Sequence, residues 1–426
     1  MKQQLYTIID NLKDELFELG NTLYKTPELG FKEFKSKQII IDFLEKYDVK
    51  VNNEYFETGF EVQIGKGNGP VIGLIAELDA IKTMDHPFAD EITSAAHSCG
   101  HSLQSTIMVG ALVALKKLNI LDNLDGTIKV FFTPAEEFCD IEYRAQLIKE
   151  GRLKAYSGKE NMLVDGLFDE CDVILSSHVM GSSNYDYSVD STLAGFCYKK
   201  ITFIGKAAHA AIIPHLGINA LNIFTLFQSA VGMLRETFVD EDKVRIHGIV
   251  TKGGETVNSI PSEVVYECYV RSVNNETIIN LNNQLDITAS SCAKALGGSV
   301  EIENIPGYFP LIQDKSLNNI IMNHVLEFCS ADKVHASEVS MAAGDVGDIS
   351  LFKPTIQFGF GGTRGRVHGT TFEIYDEEKA YIEPIKIVAN TIIYLLHNKD
   401  IVDEIVNKYE VKMSKEEYKN YLNIKE

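Results

Sequence analysis

The chain has 426 residues, enough for two domains, since single cores stop growing near ~250–300 residues. It carries 60 acidic against 40 basic residues, a net charge of −20, and no basic patch to displace phosphate counterions, which argues against a nucleic-acid partner. No apolar run approaches the ~20 residues of a membrane span, and seven scattered cysteines without a C-x-x-C pair fit a reduced, cytoplasmic protein rather than a disulfide framework.

In chain order, "MKQQLYTIIDNLKDELFELG" lacks the apolar core of a signal peptide. Leu5, Ile8, Leu12, Leu16 and Leu19 fall at helical spacing and predict one amphipathic helix of the mature protein. "VIGLIAEL" (71–78), "TIKVFFT" (127–133) and "DVILSSHV" (172–179) read as buried strands, with a helix over "STIMVGALVALKKL" (105–118). This alternation predicts an α/β domain with a largely parallel sheet. From about residue 190 the texture changes. "CYKKITFIGKAAHA", "KVRIHGIVTKGG" and "SEVVYECYVRS" alternate as strands, with helices at about 217–236 and 276–296. They predict a compact α+β insert. "IENIPGYFP" (302–310) then leads to a further helix and to "PTIQFGFGGTRGRVHG", where the α/β texture resumes. The expected organisation is a catalytic domain in two segments, 1–189 and 307–426, split by an inserted domain at 190–306.

Polar chemistry concentrates just past predicted strand ends and in loops, where open α/β sheets place their ligand crevices. Glu77 and Asp79 lie in "AELDA", Cys99 and His101 in "HSCGHS", Glu136 and Glu137 in "TPAEE". His178 ends "VILSSH", and His368 lies in the glycine-rich "GGTRGRVHG". Each alone has an ordinary structural explanation: a hydrogen-bonded histidine, a helix-start carboxylate, a small buried cysteine. Together they suit a metal site, because thiolate, imidazole and carboxylate are the usual zinc donors and a catalytic site keeps a position open for water. One glutamate of the pair can bind metal while its neighbour takes a proton from the attacking water. A cysteine-nucleophile reading leaves Glu136, Glu137 and His178 without roles. A structural zinc site usually draws on tight local pairs, whereas these residues span 99 to 368.

The succession "TPELGFKE", "AELDA", "HSCGHS", "TPAEE", a strand-end histidine, "GKAAHAAIIP", "GGETVNSIP", "YVR" and a late "VHG" resembles the dinuclear metallopeptidase/aminoacylase family. Within it the match is to the amidohydrolase branch, which holds indole-acetyl-amino-acid hydrolases, aminobenzoyl-glutamate hydrolase and β-alanyl-lysine-type dipeptidases. The likeness runs from about residue 20 to about 390. It implies a phosphorylase/hydrolase-like catalytic domain carrying a ferredoxin-like dimerisation or lid domain. It implies metal ligands at Cys99, His101, Glu137, His178 and His368, with the Cys99 thiolate bridging two divalent ions. Zinc suits the thiolate best; manganese, cobalt and nickel are also compatible. Glu136 is implied as general base and Asp79 as the acid that orients a ligand. His209 is implied to stabilise the tetrahedral intermediate, often from the partner subunit of a homodimer, and Asn258 and Arg271 to bind the substrate. The implied activity is hydrolysis of the amide bond of an N-acyl or aminoacyl amino acid, or dipeptide, with a free carboxylate.

A broader aminopeptidase and an inactive binding relative are the alternatives; the full set of ligand types argues against the second. Without the resemblance, His209, Asn258 and Arg271 would have no assigned function, and His97 has none with it. The chain departs from the pattern at Glu77, where many members have Asp, at Ser102, where Asp or Asn is common, and at Gln104, where part of the branch has His. With "MAAGDVGDIS" (341–350), these differences favour the aminobenzoyl-glutamate hydrolase and β-alanyl-lysine dipeptidase side.

Overall fold

The apolar runs ending at 77, 133 and 179 lie side by side in one sheet of the computed structural model, which describes residues 1–65, 68–122 and 124–424. In chain order the strands of the two main sheets are β1 (Val51–Tyr55), β2 (Gly59–Gly65), β3 (Val71–Glu77), β4 (Thr127–Thr133), β5 (Val173–Val179), β6 (Tyr187–Val189), β7 (Gly195–Ile204), β8 (Arg245–Lys252), β9 (Glu263–Ser272), β10 (Ser299–Pro306), β11 (Val334–Ala336) and β12 (Thr355–Phe360). The chain divides into two units. The larger comprises Met1–Thr192, Ile312–Val339 and Asp348–Glu426; the smaller comprises Leu193–Leu311 and Ser340–Gly347.

The larger unit is built on an eight-stranded sheet ordered β1-β2-β4-β3-β5-β12-β6-β11. Its central block, β4-β3-β5-β12, is parallel, while β1, β2 and β6 join antiparallel. Parallel strands are covered on both faces, and accordingly every residue of β4 and all of β3 after Val71 are buried. Each fully buried Ile, Leu or Phe here contributes about 1.5–3 kcal/mol. The covering helix α4 (numbered after α1, Lys2–Asn11, α2, Lys13–Tyr24, and α3, Phe34–Glu45) spans His101–Lys117. It is buried continuously from His101 to Leu115, as expected of a helix packed on all sides, against β3 and against α1 and α2. It begins four residues before the predicted 105 because Gly100 caps it.

The N-terminus differs from the single predicted helix: α1 and α2 meet at Leu12. Leu12 keeps a near-helical backbone (φ −91°, ψ −4°), so Leu5, Leu12, Leu16 and Leu19 still form one buried stripe. Ile8 is only part-buried and Ile9 takes its place in the core.

The smaller unit runs β7-α-β8-β9-α-β10, with its sheet ordered β8-β9-β7-β10 and every neighbour antiparallel. This is the ferredoxin-like arrangement. Its helices start where Asn219 and Asn274 accept backbone N–H groups, an N-cap worth about 1 kcal/mol. Ile223, Phe227 and Val231 of one, and Ile278, Leu285 and Ala289 of the other, recur at helical spacing and are buried. The loop 340–347, which the sequence reading leaves with the surrounding segment, packs with this unit, where Arg271 donates to the Met341 carbonyl at 3.2 Å. Among the described residues no helix is long and apolar enough to cross a membrane.

Candidate metal centre

The turn that places Cys99 and His101 depends on the glycine between them. Gly100 has φ +90°, a left-handed conformation that costs other residues energy. A Cβ there would stand 2.4 Å from Val179 Cγ1 on β5, so a side chain is excluded by space as well. With this turn, His101 becomes the first residue of α4 and Cys99 is buried beside it.

His101 and His178 are each oriented by the other ring nitrogen, a common device at metal sites. His101 Nδ1 lies 2.8 Å from the Asp79 carbonyl and 3.2 Å from Asp79 Oδ1, so Nδ1–H donates there. His178, at the end of β5, donates Nδ1–H to the Val179 carbonyl at 2.8 Å. Its Nε2 faces Cys99 Sγ at 3.4 Å. His368 has φ +61° and is pinned by its backbone N–H to the Ser98 carbonyl at 2.9 Å. A non-glycine residue in that conformation is strained, a state that tends to be kept at functional sites. Its Nε2 lies 3.2 Å from Cys99 Sγ and 3.0 Å from Glu137 Oε1.

Two three-donor sets therefore share Cys99: Cys99, His101 and His178, and Cys99, Glu137 and His368. The orphaned atoms test whether metal fits. His101 Nε2 and Glu137 Oε1 are buried without a hydrogen-bond partner, a costly condition unless something else binds them. Two nitrogen or oxygen donors on one tetrahedral zinc lie roughly 3.3 Å apart, and a sulfur and a nitrogen roughly 3.5 Å. The observed separations of 3.0–3.4 Å match that spacing. The residues fit divalent metal.

The Glu136–Glu137 elbow follows β4 and is clamped from three sides. Ala135, at φ +56°, donates its N–H to Glu33 Oε1 at 2.9 Å, and the Thr58 hydroxyl holds Glu33 Oε2 at 2.5 Å. Glu137 N–H donates to Asp79 Oδ2 at 2.9 Å, and buried Arg144 donates to the Glu137 carbonyl at 2.5 Å and the Tyr156 carbonyl at 2.9 Å. Asp79 thus orients His101 and Glu137 together. Glu136 is buried, with Oε2 3.8 Å from His101 Nε2.

The electrostatics reflect this packing. Burial pushes the Cys99 thiol up, reinforced by Glu137. Burial opposes charge on His101, but Cys99 and Glu77 outweigh it and raise its pKa; burial lowers that of His178. Burial would raise Asp79, yet the His101 hydrogen bond and Arg144 hold it below the carboxylate range. Burial, with Asp79 nearby, pushes Glu33 up to about 8.

The three remaining candidates lie in the smaller unit. His209 Nδ1 accepts the N–H groups of Ala211 (3.3 Å) and Ile212 (3.2 Å), which places the proton on Nε2. That nitrogen faces the Asn258 side-chain amide at 3.1 Å, and with the proton on Nε2 it is the amide oxygen that must be turned to accept it. Arg271, on β9, packs its guanidinium 5.2 Å from the ring centres of Phe196 and of Tyr269, and its buried Nε has no hydrogen-bond partner. His97 is buried with no partner on either ring nitrogen, and burial pushes its pKa down to about 3, so the ring is neutral. Of the departures, Ser102 is buried with an unpartnered hydroxyl, whereas Gln104 links two strand ends, accepting from Glu77 N–H and donating to the Ser177 carbonyl, both at 2.6 Å. Sequence reasoning passed over Glu33, Arg144 and Lys159. A helix start was nonetheless visible beside Lys159, in the Ser157–Glu160 capping box.

Residues 73–394 match the model of peptidase family M20/M25/M40. An uncharacterized hydrolase of Sinorhizobium fredii is 27% identical over 389 residues, 87% of this chain and 91% of the relative. An N-acetyl-L-cysteine deacetylase of Bacillus subtilis is 24% identical, over 84% of this chain and 82% of its own. A human Xaa-Arg dipeptidase is 24% identical, over 97% and 92%. Among solved structures, a dinuclear metal-binding M20 peptidase of Bacillus subtilis superposes with a TM-score of 0.71 at 19% identity, over 91% of this chain and 99% of its own. An aminobenzoyl-glutamate utilization protein of Klebsiella pneumoniae gives 0.66 at 15%, over 92% and 98%. These two share its fold. With the family pattern covering the parallel centre of its sheet, its Cys99-centred donors and its insert, the chain belongs to peptidase family M20/M25/M40.

Proposed function

We propose that this protein is a metal-dependent amidohydrolase that cleaves the amide bond of an N-acyl or aminoacyl amino acid bearing a free carboxylate. The observation that carries this reading is the pair of donor sets sharing Cys99, with buried, unpartnered His101 Nε2 and Glu137 Oε1 turned toward them. The deacetylase and dipeptidase relatives support the substrate class, and the dinuclear neighbour supports a two-ion centre. Cys99, His101 and His178 would hold one ion; Cys99, Glu137 and His368 would hold the other. Zinc suits the thiolate and imidazoles, with manganese, cobalt or nickel as alternatives. When bound, such ions supply Lewis acidity and bring water toward deprotonation near neutral pH.

The chain's own groups do the rest. Glu136, on the clamped elbow, takes a proton from the attacking water and returns it to the leaving nitrogen. Asp79 keeps His101 in the tautomer that offers Nε2 and holds the Glu137 backbone. His209 offers Nε2–H to the oxygen that gains charge as the carbonyl is attacked. Arg271, packed against the Phe196 and Tyr269 rings, pairs with the substrate carboxylate, and Asn258 steadies His209 and the substrate. The protein is taken to be a cytoplasmic homodimer joined through the smaller unit, where edge strand β8 exposes Ile249 and Val250 and the preceding helix exposes Met233.

The test is a screen of N-acyl amino acids and dipeptides against metal-reconstituted protein, with metal counted by mass spectrometry and mass in solution by light scattering. Glu136→Gln should keep both ions and lose turnover by about 10²–10⁴-fold. Undiminished turnover in that variant would sink the assignment.

A further inference from the structure

His368 is the least buried of the candidate donors, with its side chain 47% exposed, so packing around the ring does not fix it. Its place is set by the backbone of its loop. That loop is closed by a short ladder pairing Thr363 with Ile374 and Arg364 with Glu373. Beyond the bond from His368 N–H to Ser98, the loop is held at one more buried point, the Phe372 carbonyl. This oxygen accepts the Tyr24 hydroxyl at 2.9 Å and His86 Nε2–H at 3.0 Å, so both of its lone pairs are used. His86 Nδ1 accepts the Phe88 N–H at 3.2 Å, which leaves the ring proton on Nε2, facing Phe372. Tyr24 and His86 are both buried.

His86 belongs to a hairpin, 81–96, whose ladder pairs Ile81 with Ala96 and Lys82 with Ala95. This hairpin reaches all three segments of the Cys99, Glu137 and His368 set. Thr83 Oγ1 lies 2.6 Å from Ser98 Oγ, next to Cys99. Lys82 pairs with Asp140 at 2.6 Å, three residues past Glu137, and His86 holds the His368 loop. The Lys82 pair is half exposed and contributes little. The buried bonds matter more, because a buried polar group left without its partner is costly. We propose that His86, with Tyr24, is a positioning residue that holds the His368 loop at the distance its ion requires. This rests on the metal-centre reading above and names what secures its most exposed donor. Loss of the His86 donor frees the loop around His368, while Cys99, His101 and His178 keep their own supports. One ion should therefore weaken and the other should not.

Chelator competition with Zn2+ tests this on the whole chain, with His368→Ala marking which ion depends on that histidine. His86→Phe keeps a ring and removes the donor; His86→Gln returns an N–H near the place of Nε2. His86→Phe should bind the His368-dependent ion about 10–100-fold more weakly and leave the other unchanged. His86→Gln should recover most of that loss. Unchanged affinity in folded His86→Phe, or equal weakening of both ions, overturns the proposal while leaving the metal centre standing. So does a His86→Gln protein as weak as His86→Phe, since ring packing rather than the hydrogen bond would then be at work. A wild-type protein that binds fewer than two ions overturns the two-ion reading and this proposal with it. Should the His86 variants fail to fold, Tyr24→Phe decides, because it deletes only the second donor to the same carbonyl. Selective weakening of the His368-dependent ion there supports the proposal, and any other result overturns it.

Discussion

The two units hold their candidate residues by different means. In the larger unit, most groups aimed at the candidate metal centre are set by a partner that the fold brings to them: His101 by Asp79, the Glu137 backbone by Asp79 and Arg144, His368 by Ser98; His178 uses the carbonyl of its own neighbour, Val179. In the smaller unit, His209 is held by N–H groups two and three residues along its own turn, and Asn258 is exposed. Donors to an ion must keep fixed distances, and buried cross-links from several strands supply that rigidity. A group that meets a substrate needs the right tautomer and some freedom, and a local turn supplies those. The contrast predicts that substitutions in the larger unit change metal content, whereas those in the smaller unit change turnover at constant metal.

The largest expected effect tests the first half. Cys99→Ala removes the donor common to both sets, so metal analysis should find both ions depleted and activity lower by roughly 10³-fold or more. Next, His209→Ala should lower kcat by about 10²–10³-fold with two ions retained. Loss of metal in that protein would break the contrast. Third, Glu33 is an acid whose folded pKa, about 8, lies above its ordinary value of 4.5 because of burial and Asp79. The folded state keeps a proton that the unfolded chain releases between these values. Its contribution is fully present below about pH 4.5 and is lost as pH rises through about 8. Urea melts at pH 5, 6.5 and 8 should show wild-type stability falling relative to Glu33→Gln, by roughly a few kcal/mol across the window. Smallest, Gly100→Ala should cost about 1–3 kcal/mol from φ strain and the Val179 contact, read as a lower melting temperature in metal-free protein.

The sheet was legible in the sequence because parallel strands are nearly continuous apolar runs, and β3, β4 and β5 fall within one residue of their predicted spans. That Cys99, His101, the Glu136–Glu137 pair, His178 and His368 would gather could be anticipated because strand ends and glycine-rich loops converge at one edge of such a sheet, whereas the choice of Glu137 over Glu136 as donor came from the family resemblance. Arg144 and Lys159 could not. Both sit in segments whose polar residues look solvent-facing, and only the three-dimensional packing reveals that they are buried against the elbow and Glu77. Gln104 registered only as a departure from a pattern; its role depends on β3 and β5 being neighbours. The N-terminal helix was misjudged for a simpler reason: apolar spacing cannot register a break that leaves the stripe intact.

Gln104 has a consequence for motion. Adjacent parallel strands are joined covalently only through long crossovers, so their tips could fluctuate separately on the nanosecond scale. With one amide gripping Glu77 on β3 and Ser177 on β5, those tips are coupled as a single plate. Thermal displacement then carries Glu77 and His178 together, and the spacing between them is preserved while the plate itself moves.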